Sequence, residues 1–552
     1  MAEGNPNFEK LFRLLANDRK DMGRVVVFAT LHGAISLSFP LGIQALIGQI
    51  MGGRLSASWW LLVAGVLFAI VLAGVLYLMQ LRIVELLQQR IFVRSSIEFA
   101  HRIPLLRSDV LRKDYLPDLI NRFFDTLTVQ KELPKLIVDG ATAILQIFFG
   151  LLLLLLYDTW FVMVALVIIA LVVLAIRVSL YRGLLTSYEE STHKHEVAQQ
   201  LEEMARIGPA LKAEGETARA HSRVDAAINL YLDARTRHFR ILYGQHIWMV
   251  IVRFAFTALL LIAGGALVVE RTVSIGEFVA VEIVFFIIMN NAEKIFRLLE
   301  GLYDVHAGVE KIASVVQLPL EKRPEGGAPG YEQAAWSMEW IPWKLRVNAG
   351  TKLGLVIGEG TDVQPFFEGL AMPLSEAGDG LKINDLPIHS WDQSRYSERM
   401  EDNLPYGGFI SGSVMENLQR RGATREEVIH TLLRLGLLQE AFGPAGWETD
   451  IHPDFFRWHP DLAMQLHSVR ALAGDASLRI MYDALAGIRP AERVKWLEEM
   501  LRASQTCTLV CITHRADVLE KMDQVAVVVG NELTYMGPWS GMPERIKTTE
   551  IC

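Results

Sequence analysis

The sequence predicts an α-helical membrane domain of six transmembrane helices, followed by a C-terminal α/β domain. Its mean hydropathy is +0.27 over 552 residues, which points away from an ordinary soluble enzyme. Long apolar runs are confined to about the first 290 residues. After a Pro- and Gly-rich stretch at 321–330, the composition becomes that of a water-soluble domain. We therefore expect a protein that lies partly in a membrane and partly in the cytosol.

Charge and cysteine content exclude several classes of protein. The chain has 54 Lys and Arg against 62 Asp and Glu, a net charge of −8. Because no basic block stands out, no nucleic-acid partner is expected. The three cysteines, Cys507, Cys511 and Cys552, offer neither a disulfide framework nor a zinc motif, and they indicate a reducing compartment.

Six apolar runs are candidate transmembrane helices. Most of them have the ~20 residues that a hydrocarbon core of ~30 Å requires. Buried helices of a soluble protein are the alternative, but the third and fourth runs are too apolar for that. The runs are Val25–Ile50, Ser58–Met79, Ile137–Leu156, Trp160–Ile176, Ile247–Val268 and Glu277–Met289 with its flanks.

The connectors between these runs give the topology. The two long connectors, 80–136 and 177–245, carry ten Lys and Arg each, whereas the three short ones carry only Arg54 and Arg271. Basic residues are retained on the cytoplasmic side of a membrane. The long connectors and both termini are therefore expected on the cytoplasmic side of an inner (plasma) membrane. The long connectors keep a helical apolar period, which predicts that the spanning helices continue into the cytosol.

The remaining boundaries follow from composition. Residues 1–23 predict an amphipathic helix at the inner membrane surface, because Phe8, Leu11 and Leu15 share one helical face beside basic residues. A plain membrane-proximal helix is the alternative. The membrane domain is then 24–320, the linker 321–330 and the α/β domain 331–552. Within that last domain, Lys352–Gly358 and Thr508–Thr513 are predicted strands, and the predicted helices include Arg425–Leu438, Asp461–Leu472 and Pro490–Ser504.

Two stretches of the α/β domain, together with the six spans, resemble an ATP-binding cassette (ABC) exporter half-transporter. Phe409–Leu418 (FISGSVMENL) is similar to the segment that follows the family's Q-loop. Thr508–Asp523, with Val525–Gly530, is similar to its switch-histidine segment. The resemblance implies that residues 331–552, here called the cassette, have a P-loop-NTPase-like fold that binds nucleotide.

The resemblance also extends by position to the cytoplasmic connectors. Asp114–Asp125 and Ile207–Ala220 are similar to the two coupling segments that dock on a cassette in this family. The two phenylalanines of the first segment are expected to be buried in that contact. The residues singled out in these segments are Phe123, Phe124, Lys212 and Glu214.

The phosphate-binding loop departs from the family pattern. A P-loop, G-x-x-x-x-G-K-[ST], exposes backbone N–H groups, and its lysine and hydroxyl contact phosphate and Mg²⁺. Counting from Gly358, the chain has Val363, Gln364 and Pro365 where the second glycine, the lysine and Ser/Thr belong. Gly360 is the only other glycine of the loop, and two carboxylates add negative charge there. Because proline removes a donor at the helix start, we expect no working P-loop.

The other nucleotide motifs depart in the same way. Pro405 stands at the Q-loop glutamine, and Asp461 stands within the signature, where a helix N-terminus would face phosphate. The Walker-B pair falls on Tyr482 and Asp483, or on Asp483 and Ala484 if the register is shifted by one residue. In either register the chain lacks the metal ligand or the full-length general base. Only His514 is retained, and a histidine at a strand end is at least as often structural as catalytic.

These departures predict a pseudo-ATPase half-transporter, which supplies six transmembrane spans and a catalytically inactive cassette to a dimer. No cofactor is expected on this chain's own motifs; ATP and Mg²⁺ are expected only if a partner completes the site. A second ABC half-transporter is the expected partner, more as a heterodimer than as a homodimer, and secretion accessory proteins are a further class. The alternative is a membrane scaffold or regulator that has kept the exporter fold and does not transport.

Two of the charged residues inside the predicted spans are singled out. Arg253 in the fifth and Glu282 in the sixth are costly in lipid and are functional candidates. Their topology places them at different depths, so a direct ion pair is not expected. Arg253 can alternatively extend to the membrane surface, whereas Glu282 is expected to face a cavity or a partner subunit.

Overall fold

The computed structural model describes residues 19–53, 57–113, 116–321, 333–419, 423–437 and 442–550. The predicted amphipathic helix at 1–23 and the predicted linker at 321–330 lie almost wholly outside these residues. The chain forms two compact units. The membrane unit comprises the residues up to Leu106 with Val110–Pro319, and the cassette unit comprises Arg107–Asp109 with the residues from Leu320 onward.

Among the described residues of the membrane unit, six helices are long and apolar enough to cross a membrane, which confirms the six predicted spans. Four of its helices have 42 to 48 residues. At 1.5 Å per residue they are ~60–70 Å long, about twice the hydrocarbon core, so the long connectors are continuations of the spans, as predicted. The helices are α1 (Arg19–Ser36), α2 (Ser38–Met51), α3 (Ala57–Arg102), α4 (Ser108–Lys113), α5 (Leu116–Asn121), α6 (Asp125–Leu154), α7 (Thr159–Arg206), α8 (Gly208–Glu214), α9 (Thr217–Leu259), α10 (Gly265–Val269) and α11 (Ile275–Val316).

Two departures from regular helix occur within the spans. The first span is divided at Leu37, three residues before Pro40. Proline has no N–H to donate to Ser36, which explains why the helix restarts there. The fifth span contains a π-helical turn, Leu260–Gly264, between α9 and α10.

Close helix packing holds the membrane unit together. α11 packs along α6 and α7, and α9 packs along α7. Gly183 of α7 lies against the ring of Tyr303 of α11, and a Cβ at this glycine would be 2.3 Å from the ring carbon Cζ. The Tyr303 hydroxyl accepts a hydrogen bond of 3.0 Å from Gln245 of α9. These contacts tie three helices together in the part of the bundle beyond the apolar runs.

The cassette unit is built on a six-stranded sheet of order β12-β11-β3-β10-β9-β6, parallel except for β12. A second sheet, β2-β1-β4-β5, is antiparallel, and β7 pairs with β8. The strands are β1 (Met338–Trp340), β2 (Leu345–Val347), β3 (Lys352–Ile357), β4 (Leu381–Ile383), β5 (Leu386–Pro387), β6 (Met400–Asp402), β7 (Gly412–Ser413), β8 (Asp450–Ile451), β9 (Leu478–Tyr482), β10 (Thr508–Ile512), β11 (Gln524–Val529) and β12 (Glu532–Gly537).

Helices cover this sheet, and the predicted elements are confirmed to within a few residues at their ends. They are α12 (Gln364–Ala371), α13 (Gln393–Arg399), α14 (Val414–Leu418), α15 (Arg425–Leu435), α16 (Phe455–Trp458), α17 (Pro460–Ala473), α18 (Pro490–Ala503), α19 (Ala516–Leu519) and α20 (Glu544–Glu550). A buried aromatic cluster fills the space between the two sheets and α12: Trp336, Trp340, Trp343, Phe366 and Trp391 are each at most 2% exposed. The cassette core is therefore packed by large side chains up to the first turn of α12.

Candidate functional site

The loop between β3 and α12, at the predicted P-loop position, is closed by hydrogen bonds to its own backbone and to β11. The Gly358 N–H donates to the Val528 carbonyl at 2.7 Å. The Thr361 N–H donates to the Gly358 carbonyl at 3.4 Å, and its hydroxyl donates to the Val528 carbonyl at 3.2 Å. Gly360 makes the turn with φ +73°, a conformation that favours glycine. These donors point into the protein and are engaged.

The β11–β12 hairpin supplies a second set of partners for the loop. Asn531 occupies the turn with φ +69°, and its Oδ1 accepts the Asp362 N–H at 2.9 Å and the Trp343 indole N–H at 3.3 Å. The Gln364 N–H donates to Asp362 Oδ1 at 3.2 Å. Pro365 follows in the first turn of α12 and has no N–H. A phosphate at this loop would compete with protein oxygens for its amides.

The Walker-B position lies at the end of β9, beside the same loop. The Tyr482 ring packs edge-on against Phe367 of α12, with centroids 4.9 Å apart. Asp483 follows at φ +44° and donates its N–H to the Ile512 carbonyl at 2.9 Å. A cavity of about 400 Å³ lies at this carboxyl edge of the sheet and includes His514 among its lining residues. The structure thus brings Tyr482, Asp483 and His514 together around one cavity.

The signature and Q-loop positions also have their own local structure. α17 begins at Pro460, and the Asp461 carboxylate lies at its N-terminus, where it is favoured by the helix dipole. A Cβ at Gly487 would be 3.0 Å from Asp461 Oδ1, so this carboxylate lies against the backbone after β9. Pro405 follows β6 by three residues in a segment without regular structure.

Arg479 is a buried ionic group that sequence reasoning missed. It lies in β9 at 1% exposure, and it donates hydrogen bonds to carbonyl oxygens. Its Nε and Nη2 reach the carbonyls of Ala471 and Gly474 at 2.8 Å each, and Nη1 binds the Ala503 carbonyl. These acceptors belong to the C-terminal ends of α17 and α18, whose partial negative charge favours a cation. Burial lowers the pKa of Arg479. The signal available in the sequence was an arginine inside an otherwise apolar strand, which indicates a buried charge.

The predicted coupling residues lie on short elements between long helices. Phe123 and Phe124 form a 3₁₀ turn before α6. The Phe123 ring contacts Phe92 and Phe99 of α3, with centroids 5.8 and 5.5 Å apart, so its apolar contacts are within the membrane unit. The Phe123 ring is half-buried among these side chains, and its burial against a cassette stays a prediction. Phe124 is 59% exposed.

The second coupling segment contains α8, which ends at Gly215 with φ +71°. Lys212 and Glu214 lie on this helix, and both side chains are exposed. Glycine at this left-handed position allows the chain to turn from α8 into α9. The exposed helix leaves both charges available, and their role stays a prediction.

Within the described residues, the ion pair found for Arg253 is with a residue other than Glu282, the second intramembrane charge singled out in the sequence. Arg253 forms an ion pair of 3.2 Å with Glu293 of α11, a partner that sequence reasoning missed. Glu293 also binds Arg297 at 3.0 Å, and Arg253 lies over the Phe286 ring at 5.7 Å. Arg253 is thus held by a neighbouring helix and does not need to extend to the membrane surface. Glu282 lines a cavity shared with Arg253.

Comparisons with known proteins agree with this architecture. The family model described as ABC transporter transmembrane region matches residues 22–292. The ABC-type transporter frbG of Dothideomycetidae sp. (strain 11243) is 23% identical over 187 residues, which are 33% of this chain and 12% of that protein. The structure of a bacterial Atm1-family ABC exporter with ATP bound superposes with a TM-score of 0.78 at 14% identity, covering 96% of each chain. The membrane unit is therefore an ABC transporter transmembrane region, and the whole chain has the fold of an ABC exporter half-transporter.

Proposed function

We propose that this protein is a pseudo-ATPase half of an ABC exporter dimer, which supplies six spans and a cassette that does not bind nucleotide. The observation that carries the proposal is the closed loop between β3 and α12. The N–H groups of Gly358, Thr361, Asp362 and Gln364 donate to protein oxygens, and Pro365 has none to offer. A phosphate-binding loop works by directing such groups at its ligand.

Charge supports the same conclusion. The loop carries Glu359 and Asp362, and its lysine position is Gln364. Each charge near a polyphosphate changes the interaction energy by on the order of 1 kcal/mol or more at close range. One lost positive charge and two added negative charges therefore weaken phosphate binding by several kcal/mol. On the opposite face of a composite site, Asp461 would present a carboxylate to the partner's phosphate.

The cassette is expected to fold without nucleotide. Phe366, in the first turn of α12, packs against Trp340 and Trp343, with ring centroids 5.3 and 4.8 Å apart. Buried aromatic side chains contribute large apolar areas to a core. Arg479 joins the ends of two helices beneath the sheet. A cassette stabilised in this way can serve as a docking body even if it hydrolyses nothing.

A partner subunit follows from this arrangement. Six helices supply half of an exporter, so we propose a dimer with an ATPase-competent half-transporter in an inner (plasma) membrane, with both termini cytoplasmic. In that dimer only the partner's P-loop holds nucleotide. Coupling elements such as the exposed Phe124 and α8 favour transport over scaffolding, because a scaffold would not need them.

Copurification tests the proposal. The full-length chain is isolated from native membrane, the accompanying subunit is identified, and ATP turnover is measured for the chain alone and for the complex. We expect background turnover for the chain alone, and turnover of the complex that is insensitive to His514→Ala but is lost when the partner's own P-loop lysine is replaced. Turnover by the chain alone that disappears in His514→Ala would overturn the pseudo-ATPase assignment. Absence of an ABC partner would favour the scaffold.

A further inference from the structure

The first span consists of two helices that pack against different neighbours. α1 lies along α6 and α3, whereas α2 lies along α11 and α3. Between them, the Ser36 carbonyl receives no helical hydrogen bond, because Pro40 has no N–H. The N–H groups of Leu37 and Leu41 donate to the carbonyls of Ala34 and Leu37 over 3.3 Å each. The span thus lacks one helical hydrogen bond between α1 and α2, and helices bend at such positions.

A side-chain hydrogen bond holds α2 at the end of the bundle that lies away from the long connectors. The Tyr157 hydroxyl, in the short connector between α6 and α7, donates to Gln44 Oε1 of α2 at 2.5 Å. Both side chains are half-buried, so water competes with this bond only in part. The bond joins the first span to the third and fourth, and it must break if α2 moves away from the connector.

The first turn of α11 also lies closely against α2. A Cβ at Gly276 would be 3.2 Å from the backbone carbonyl of Gln44 and 3.7 Å from Ile47 Cγ2. Small residues allow helices in a membrane to approach closely. Because position 276 has no side chain to interlock with α2, this contact can open without withdrawing a side chain from a groove.

A second polar group of α2 favours displacement of the helix. The Gln49 amide oxygen is buried and accepts no hydrogen bond from the residues that the structure describes. A buried acceptor without a partner destabilises the arrangement that buries it, whereas exposure to water would satisfy it. The hydrogen bond at Gln44 and the unsatisfied oxygen at Gln49 therefore act in opposite directions. Such a balance keeps the free-energy difference between two positions of α2 small, as a switching element requires.

We propose that α2 is a gate at the non-cytoplasmic end of the transport pathway, an inference that rests on the transport function proposed above. Pro40 is the hinge of this gate, and the hydrogen bond between Tyr157 and Gln44 is its latch. α2 has 14 residues and is ~21 Å long. A bend of ~20° at the hinge moves Ile47 by ~5 Å, which is wider than a water molecule of ~1.4 Å radius.

Labelling of a cysteine at position 47 tests the gate. Ile47→Cys is introduced into the full chain, which is placed with its copurifying subunit in nanodiscs without nucleotide. Reaction of this cysteine with a membrane-impermeant maleimide is followed over time by peptide mass spectrometry. Loss of one neutral hydrogen bond shifts an equilibrium by about two- to tenfold, so Tyr157→Phe should raise the labelling rate by about that factor. Gln44→Leu should raise it similarly, and the two together no further, because both remove the same bond.

Two further variants separate the hinge and the latch from a general loosening of the bundle. Pro40→Ala supplies the donor that the Ser36 carbonyl lacks, so it should return the labelling rate of Tyr157→Phe toward that of the Ile47→Cys parent. Tyr77→Phe, the same change at an exposed position of α3, should leave the parent's rate unchanged.

The contrary outcomes are distinct. Equal labelling of the parent and Tyr157→Phe would overturn the proposal, because the latch would then hold nothing. A rise that Pro40→Ala does not reduce, or that Tyr77→Phe produces equally, would also overturn it. The proposed function fails on other results, since ATP turnover by this chain or the absence of an ABC partner would refute it. Labelling without nucleotide would still report whether α2 moves.

Discussion

Replacing the buried arginine of β9 should destabilise the cassette strongly. In Arg479→Met, a side chain of similar length fills the space but removes every donor. The carbonyls of Ala471, Gly474 and Ala503 then lose their partners inside the protein. Because these acceptors end two helices, the change acts on both α17 and α18. We expect lower stability without a change of fold.

The magnitude follows from the number and type of lost contacts. Hydrogen bonds to a charged group contribute ~1.5–3 kcal/mol each, and the desolvation of the guanidinium offsets part of their sum. Three buried carbonyl groups left without partners cost ~1–3 kcal/mol each, and with that offset the expected loss of stability is ~3–5 kcal/mol. For a unit of this size, a loss of 1 kcal/mol in the free energy of unfolding lowers the thermal midpoint by ~2–4 °C, so the midpoint of Arg479→Met should fall by ~6–20 °C.

The assay is thermal unfolding of the purified full chain, followed by tryptophan fluorescence at one fixed scan rate. The matched control is Arg399→Met, which removes the ion pair of Arg399 with Asp475 at the surface. Exposed pairs contribute ~0–1 kcal/mol, so the control should shift the midpoint by only a few degrees at most. If the midpoint of Arg479→Met is no lower than that of the control, the guanidinium does not stabilise the two helix ends in the way that its contacts indicate.

Two further changes test the membrane unit. Gly183→Ala would place a Cβ 2.3 Å from the Tyr303 ring and should lower the free energy of unfolding by ~1–3 kcal/mol. Gly244 has open space around it, so Gly244→Ala should raise that free energy by up to ~1 kcal/mol. Equal midpoints of the two variants in thermal unfolding would contradict this packing. Phe123→Ala should lower stability by ~1.5–3 kcal/mol, while Phe124→Ala should leave it nearly unchanged and abolish export by the complex. Full export by a well-assembled Phe124→Ala complex would remove the coupling role.

The spans could be predicted from sequence because hydropathy acts locally along the chain. Apolar runs of sufficient length and basic connectors identify membrane helices without knowledge of any contact. The break at Leu37 follows from Pro40 by the same local logic. The strands of the cassette were also predictable, since buried parallel strands are short continuous apolar runs.

Contacts between distant residues could not be predicted in this way. Asn531 closes the loop at Asp362 from 169 residues away, and its signal in the sequence is only that of a turn residue. Glu293 pairs with Arg253 because two helices place them at one level, which depends on packing. The Phe123 ring contacts Phe92 of α3, a partner that its position in the coupling segment did not indicate. In each case the sequence indicated the residue or its neighbourhood, and tertiary packing determined the partner.

Nucleotide-dependent unfolding of the purified chain tests the central claim most directly. A ligand at 100 times its Kd stabilises the state that binds it by ~2.7 kcal/mol, which for this cassette corresponds to ~5–11 °C. With the loop amides engaged by Val528, Gly358, Asn531 and Asp362, we expect the cassette midpoint to be the same with and without saturating Mg·ATP. A saturable, Mg²⁺-dependent rise of the midpoint would show that the loop opens to phosphate and would contradict the account.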